Sequence, residues 1–281
     1  MLTITDHRRD SLALKYIYAV DSRRSDGISI GINLNTNNAC NWRCIYCQVP
    51  NLGRGSAPNI NLDQLEQELD TVLGDISNGD FFEKYNLWSE NRIIRDLAIS
   101  GNGEPTTCKD FERIIDLIGH VLDAHSMRNR LKPVLITNGS LANHIRVQKG
   151  ISLLSALNGE VWFKLDSATN TGIKNINNAS ISIAKIRRHL VITASLCPTW
   201  IQTCVFSQKG KPPTEQEQDE YIQFLSSVLK QGIRLQGILL YGIARPSQQK
   251  EARGLSRLSV KWLDQFATMI KKTGLDVKVS A

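Results

Sequence analysis

The sequence predicts an α/β fold: a parallel sheet wrapped by helices, a partial (β/α)6 barrel of the TIM type with short additions at both ends. Three observations predict it. Six short runs rich in β-branched residues alternate with segments whose apolar residues recur at helical spacing. A helical crossover between two such runs forces them to pair in parallel. At 281 residues the chain suits one barrel domain over 1–281, since such folds exceed the usual domain length without dividing, and no linker rich in Pro, Gly or Ser interrupts it.

The elements follow in order. The β-branched, alternating stretch 28–35 reads as the first strand. Leu62, Leu65, Leu69, Val72, Leu73 and Ile76 form one apolar helical face that can cover it. A second strand over 93–100 runs into a glycine-rich segment, and Phe111, Ile114, Ile115, Ile118, Val121 and Leu122 form the next helical stripe. Strands over 133–137, 160–165, 199–205 and 236–241 continue the alternation. Thr214 with Glu217 three residues on is a capping box for the helix before the last of these, and Gly232 is its stop signal. The core barrel is expected over about 28–246. Val260, Leu263, Phe266, Ala267 and Ile270 predict a C-terminal helix, followed by a strand over 276–279, and these pack at one margin while residues 1–27 form the other.

The chemistry lies in a loop just past the first strand, where Cys40, Cys44 and Cys47 stand within eight residues. Loops at strand C-termini carry the active sites of barrels. Thiolates are soft ligands that select zinc, Cu(I) or iron–sulfur clusters, and a structural zinc site takes four protein ligands. With three, a cubane keeps one iron open for a substrate or cosubstrate. A non-catalytic zinc or cluster module would need a fourth ligand, and neither Cys nor His lies within thirty residues on either side of the loop.

The spacing of these cysteines, with Tyr46 before the last, resembles the cluster loop of the radical S-adenosylmethionine (SAM) superfamily. The segment Gly101, Asn102, Gly103, Glu104, Pro105 resembles that superfamily's GGEP motif. Serine and arginines at 22–24, residues 136–140, 162–166 and 241–246 are together similar to the wyosine-synthase-related branch, so the resemblance covers most of 16–246. It implies the superfamily's partial barrel, an enzyme, one [4Fe–4S] cluster on Cys40, Cys44 and Cys47, and SAM as cosubstrate cleaved to a 5′-deoxyadenosyl radical. It also implies an electron donor such as flavodoxin or ferredoxin. The branch forms 4-demethylwyosine on a tRNA guanosine, with a second cluster held by cysteines upstream of the loop. This chain has no cysteine before Cys40, and Cys108, Cys197 and Cys204 fall on separate elements, so one cluster is expected.

The residues at the strand ends should converge on one mouth. Gly101 and Gly103 are expected to take φ > 0 and let backbone approach a ligand. Glu104 can accept a charge-assisted bond from the SAM ammonium. Backbone near Tyr46 should face the adenine, Thr137 and Asn138 should contact SAM, and Asp166 should meet the ribose, with helix capping as its structural alternative. Lys164 and Arg245 are candidates for substrate anions, and Lys164 could instead pair with Asp166. Arg43 and Arg54 read as solvated or phosphate-facing.

A net charge of +7 attracts polyanions. Basic residues gather near the start, with Arg8, Arg9, Lys15, Arg23 and Arg24, and near the end, from Arg245 to Lys278. The substrate reading therefore extends to an RNA base or nucleotide, with tRNA as a partner, and alternatively to a protein or peptide. No RNA-binding signature, P-loop or nucleophile elbow occurs, and His7, His120, His125, His144 and His189 have no zinc spacing. Met1 to Asp10 lack the apolar run of a signal peptide and no segment approaches a membrane span, so a cytoplasmic protein is expected, in a compartment that keeps thiols reduced.

Overall fold

The computed structural model describes residues 9, 11–87 and 92–281. His7 and Arg8 lie outside them.

Eight strands form one curled sheet in which spatial order follows chain order: β1 (Ile17–Ser22), β2 (Gly27–Ile32), β3 (Ile94–Ile99), β4 (Lys132–Thr137), β5 (Glu160–Lys164), β6 (Thr199–Val205), β7 (Gly237–Gly242) and β8 (Val277–Ser280). From β2 onward every neighbouring pair is parallel. β1 pairs antiparallel with β2 through a short turn. This is the expected partial barrel with two extensions. The N-terminal margin is itself a strand, and the terminal strand joins β7 in the main sheet.

Strand β2 is buried along its whole length, as a strand covered on both faces must be. Tyr18 explains its second glycine: the ring stands across the pair from Gly31, where a Cβ would lie 2.0 Å from it. Outside the sheet lie α1 (Leu62–Asn78), α2 (Phe111–Ala124), α3 (Ile145–Ala156), α4 (Asn170–Asn177), α5 (Ile183–Leu196), α6 (Glu215–Leu229) and α7 (Val260–Lys271). The predicted stripes are their inner faces. Leu65, Leu69, Val72 and Leu73 of α1, and Ile114, Ile115, Ile118 and Leu122 of α2, are fully buried in one continuous core. Each such side chain contributes about 1.5–3 kcal/mol of burial.

Local signals set the helix ends. Asn61 accepts from the Gln64 amide at the start of α1, and Gly79 ends it at φ +88°, a left-handed conformation that glycine adopts without strain. The capping box of Thr214 and Glu217 is present on α6. Inside the curl a smaller apolar group, Val134, Trp162 and Leu239 with Ile136 and Trp200, plugs the lower lumen. The sheet's open side is bridged after β1: the Arg23 guanidinium donates to the Gly242 carbonyl at 3.3 Å and to the carbonyl of Ala281. No helix of the described residues is long and apolar enough to cross a membrane.

Candidate functional site

The three-cysteine loop rests on the C-terminal end of α4, where a helix leaves carbonyls without intrahelical partners. The loop fills them: the Arg43 amide donates to the Asn177 carbonyl at 3.1 Å, and the Ile45 amide to that of Ile176 at 2.8 Å. Asn178, left-handed at φ +48°, returns a side-chain bond to the Arg43 carbonyl at 2.9 Å. On the loop's other side Ser247 donates to the Ile45 carbonyl at 2.6 Å, and the Gln248 amide to that of Cys47 at 2.9 Å. The loop is thus clamped before any ligand arrives, which lowers the cost of ordering it.

Arg43 and Arg54 both belong to this clamp: Arg43 is half-buried, whereas Arg54 is exposed, as the solvated reading expects. Arg43 makes a two-pronged pair with Glu251 at 2.7 and 2.8 Å, and Arg54 donates to the carbonyls of Asn41 and Asn178.

Cys40, Cys44 and Cys47 open onto one cavity of about 260 Å³ at the C-terminal mouth of the sheet. Among the described residues no three His, Cys, Asp or Glu side chains converge on a point fit for a single metal ion. A cubane needs no such point, since each of its irons takes its own thiolate. The donor set suits one: three soft sulfurs on a clamped loop, with the Trp42 amide 3.4 Å from the Cys40 sulfur and the Asn177 amide group 3.2 Å from that of Cys44. Such bonds stabilise thiolates. Burial pushes the free thiols of Cys40 and Cys44 up to about 12, and that of Cys47 upward too, so metal binding must displace their protons.

Gly101, Gly103 and Glu104 line the same cavity. Their glycines are needed for a different reason from the one expected: neither has positive φ. A Cβ on Gly103 would stand 2.0 Å from the Ala39 carbonyl oxygen, and one on Gly101 2.2 Å from the Asn33 side chain. The segment is thus packed backbone-to-backbone against the start of the cysteine loop. Glu104 is 2 % exposed, and one oxygen accepts from the Thr106 amide at 3.2 Å and from the hydroxyls of Thr106 and Thr137 at 2.6 and 2.5 Å. Its other oxygen accepts from the Asn138 amide at 2.7 Å and keeps acceptor capacity. Burial pushes the Glu104 carboxyl up, against these donors. Thr137 and Asn138 thus reach the site by holding Glu104, while the Asn138 side chain also bonds Asn41 of the loop at 2.9 Å.

Asp166 caps no helix, because Thr169 caps α4. One of its oxygens accepts from the Tyr46 hydroxyl and, at 2.7 Å, from Asn177, and the other from the Cys204 amide at 3.0 Å. Its carboxylate locks the tyrosine beside the last cysteine. Lys164 forms no ion pair with Asp166. Its ammonium lies 5.0 Å over the Tyr46 ring and 3.3 Å from the Tyr241 hydroxyl. Burial opposes its charge, but Tyr241, Asp166 and Cys44 outweigh burial and raise its pKa above the ordinary lysine value. Arg245 lines the mouth and donates to the Gln48 side chain at 3.1 Å.

Several residues of the site escape sequence reasoning. Asn33 and Asn35 anchor the glycine segment and the loop, the first accepting from the Asn102 amide at 3.1 Å, the second donating to the Ala39 carbonyl at 2.9 Å. The run of asparagines just after β2 was the available signal. Asn177 and Gln202 had none, and Arg24 stood out only within the basic segment at 22–24. Cys204, expected apart from the cluster cysteines, lines the same cavity, whereas Cys108 and Cys197 are buried elsewhere in the core.

No family model matches the chain. Among curated proteins, the GTPase Obg of Brachyspira hyodysenteriae (strain ATCC 49526 / WA1) is 26% identical over 136 residues, 47% of this chain and 17% of that protein. The chain therefore matches under a fifth of that relative's length. Solved structures align far more completely. A radical SAM methyltransferase from Sphaerobacter thermophilus superposes with a TM-score of 0.59 at 14% identity, over 91% of this chain and 66% of that one. TYW1, solved with a lysine–pyruvate adduct bound, gives 0.53 at 15% identity over 97% and 79%. A spore photoproduct lyase variant gives 0.55 at 10% identity over 86% and 74%. The chain has the partial-barrel fold of the radical SAM enzymes.

Proposed function

We propose that this chain is a radical SAM enzyme. Cys40, Cys44 and Cys47 would hold a [4Fe–4S] cluster, and the free acceptor capacity of Glu104 would take the ammonium group of SAM. When bound, cluster and SAM together supply a 5′-deoxyadenosyl radical that abstracts hydrogen from a substrate. The chain's own residues bind and shield. The Gly101 to Glu104 segment presents backbone and one carboxylate oxygen to the cosubstrate, and Asp166 fixes Tyr46, so that the loop backbone beside it can border the adenine. Lys164 and Arg245 supply positive charge at the mouth for substrate anions. Trp162, Trp200 and Leu239 give the lower lumen an apolar wall beneath the reacting atoms.

One observation carries this reading: three thiols on a clamped loop and a buried glutamate with acceptor capacity left over open onto a single cavity at the strand C-termini. A small acidic reductant, flavodoxin or ferredoxin, suits the +7 chain as electron donor, and the chemistry suits the cytoplasm. An RNA base, a nucleotide, a peptide side chain or a free small molecule would each have to enter through the mouth. Anaerobic reconstitution tests the reading: the chain takes up about four iron atoms and, once reduced, releases 5′-deoxyadenosine from SAM. Reconstituted, reduced protein that leaves SAM intact would refute it.

A further inference from the structure

Resting on that proposed function, we infer that the substrate is a small carboxylic acid bearing an amide, its carboxylate on Arg24 and its amide on Gln202. Three features of the lumen below the cysteine loop carry this.

The first is Gln202. It stands on β6, is completely buried and lines the cavity, and neither its amide nitrogen nor its oxygen has a hydrogen-bond partner among the described residues. Leaving both atoms of a buried amide unpaired opposes folding. The neighbours on the same face cannot relieve this: Lys164 beside it on β5 is engaged with Tyr241 and Tyr46, and Leu239 beside it on β7 is apolar. A primary amide offers one donor group and one acceptor, so its complement is another amide edge.

The second is Arg24, from the turn between β1 and β2. Its guanidinium lies 5.5 Å over the Trp162 ring of β5 and 5.1 Å over the Tyr241 ring of β7. The register sets Trp162 opposite Trp200 and Tyr241 opposite Cys204, one step on either side of Gln202 on its face of β6. The guanidinium therefore crosses β6 at the level of Gln202. Ring stacking fixes the plane of the guanidinium and leaves its N–H edges for a ligand, and among the described residues it makes no hydrogen bond. A stacked guanidinium with open edges is a fork for a carboxylate.

The third is that the acids near Arg24 have partners of their own, Asp21 of the cavity lining included. Asp96 is filled by the hydroxyls of Ser25 and Ser29, and Glu104 and Asp166 by the donors already described. Asp96 attracts Arg24 through space, and a ligand carboxylate would add the direct contact that the guanidinium edges lack. This favours a small acid over a base on an RNA strand, which is uncharged and whose phosphates would stay outside the mouth.

The test is calorimetric titration of the anaerobically reconstituted chain with SAM bound, using three planar probes: orotate has both carboxylate and amide edge, benzoate only the first, uracil only the second. Orotate should bind at least about tenfold more tightly than either of the others. Arg24→Met should reduce orotate affinity to near that of uracil, and Gln202→Leu to near that of benzoate. Equal affinity for the three probes, no orotate binding, or binding of a tRNA transcript that orotate does not displace would overturn the inference. The wild-type comparison stands even if a variant fails to fold. Iron content and release of 5′-deoxyadenosine, read on the same wild-type preparation, report on the proposed function separately: their presence without orotate binding removes this inference alone.

Discussion

The rim and the floor of the cavity treat polar groups in opposite ways. At the rim, Glu104, Asp166 and the Asn138 side chain are engaged by the protein itself, while part of one Glu104 oxygen and the side-chain oxygens of Asn35 and Asn177 stay open. At the floor, Gln202 is buried with both amide atoms unpaired, against the general rule that buried polar groups are paired, and the half-buried Arg24 stacks on two rings with its N–H edges open. The rim builds a rigid seat for groups that the resemblance implies, whereas the floor is unfinished without a ligand.

The largest effects should come from breaking the rim. Replacing Cys40, Cys44 or Cys47 by Ala should lower reconstituted iron from about four atoms per chain to under about one and abolish the brown chromophore, read by iron assay and absorbance. Gly103→Ala comes next. Its Cβ would meet the Ala39 carbonyl at 2.0 Å, so the segment or the loop must shift, costing about 1–3 kcal/mol of stability and displacing Glu104. Melting temperature and SAM affinity should fall together, and an unchanged SAM affinity would separate the glycine from the site. Glu104→Ala removes a charge-assisted contact worth about 1.5–3 kcal/mol and should weaken SAM binding by about tenfold to a hundredfold.

Much of this rim is legible in the sequence because its parts are local. Two short segments carry the cysteines and the glycines, and the strands before them are marked by recurring isoleucines. The role of those glycines is not legible. Close packing of Gly103 on Ala39 joins residues far apart in the chain, whereas positive φ is what a local reading expects of glycine. The parts that Arg43 and Asp166 play in the clamp were not legible for the same reason: their partners, Glu251 and Tyr46 with Cys204, lie on other elements. Gln202 looks like any polar residue alternating in a strand, and only the curl of the sheet turns that face inward. β1 was assigned to the margin but not as a strand, since its pairing depends on the turn to β2.

Two smaller effects sharpen the contrast. Changing Cys108, Cys197 and Cys204 together to Ser should leave iron near about four atoms per chain, even though Cys204 borders the cavity; a fall by half from a higher wild-type content would reveal a second cluster. Smallest is the effect of Asp96→Asn. Burial raises the Asp96 carboxyl above its ordinary value, so its ionised form costs stability at neutral pH, and that cost disappears as pH falls through the raised value. The variant should melt slightly higher than wild type at neutral pH, with the gap closing in acid. A gap that widens in acid would reverse the sign.

The central claim is that the three thiols and Glu104 form one site for cluster and SAM. It is tested most directly by reducing the reconstituted chain in the presence of SAM and following 5′-deoxyadenosine. The account predicts slow release by the wild type, none by Cys44→Ala, and a raised SAM requirement for Glu104→Ala. Release that persists at the wild-type rate without Cys44, or a SAM requirement indifferent to Glu104, would contradict it.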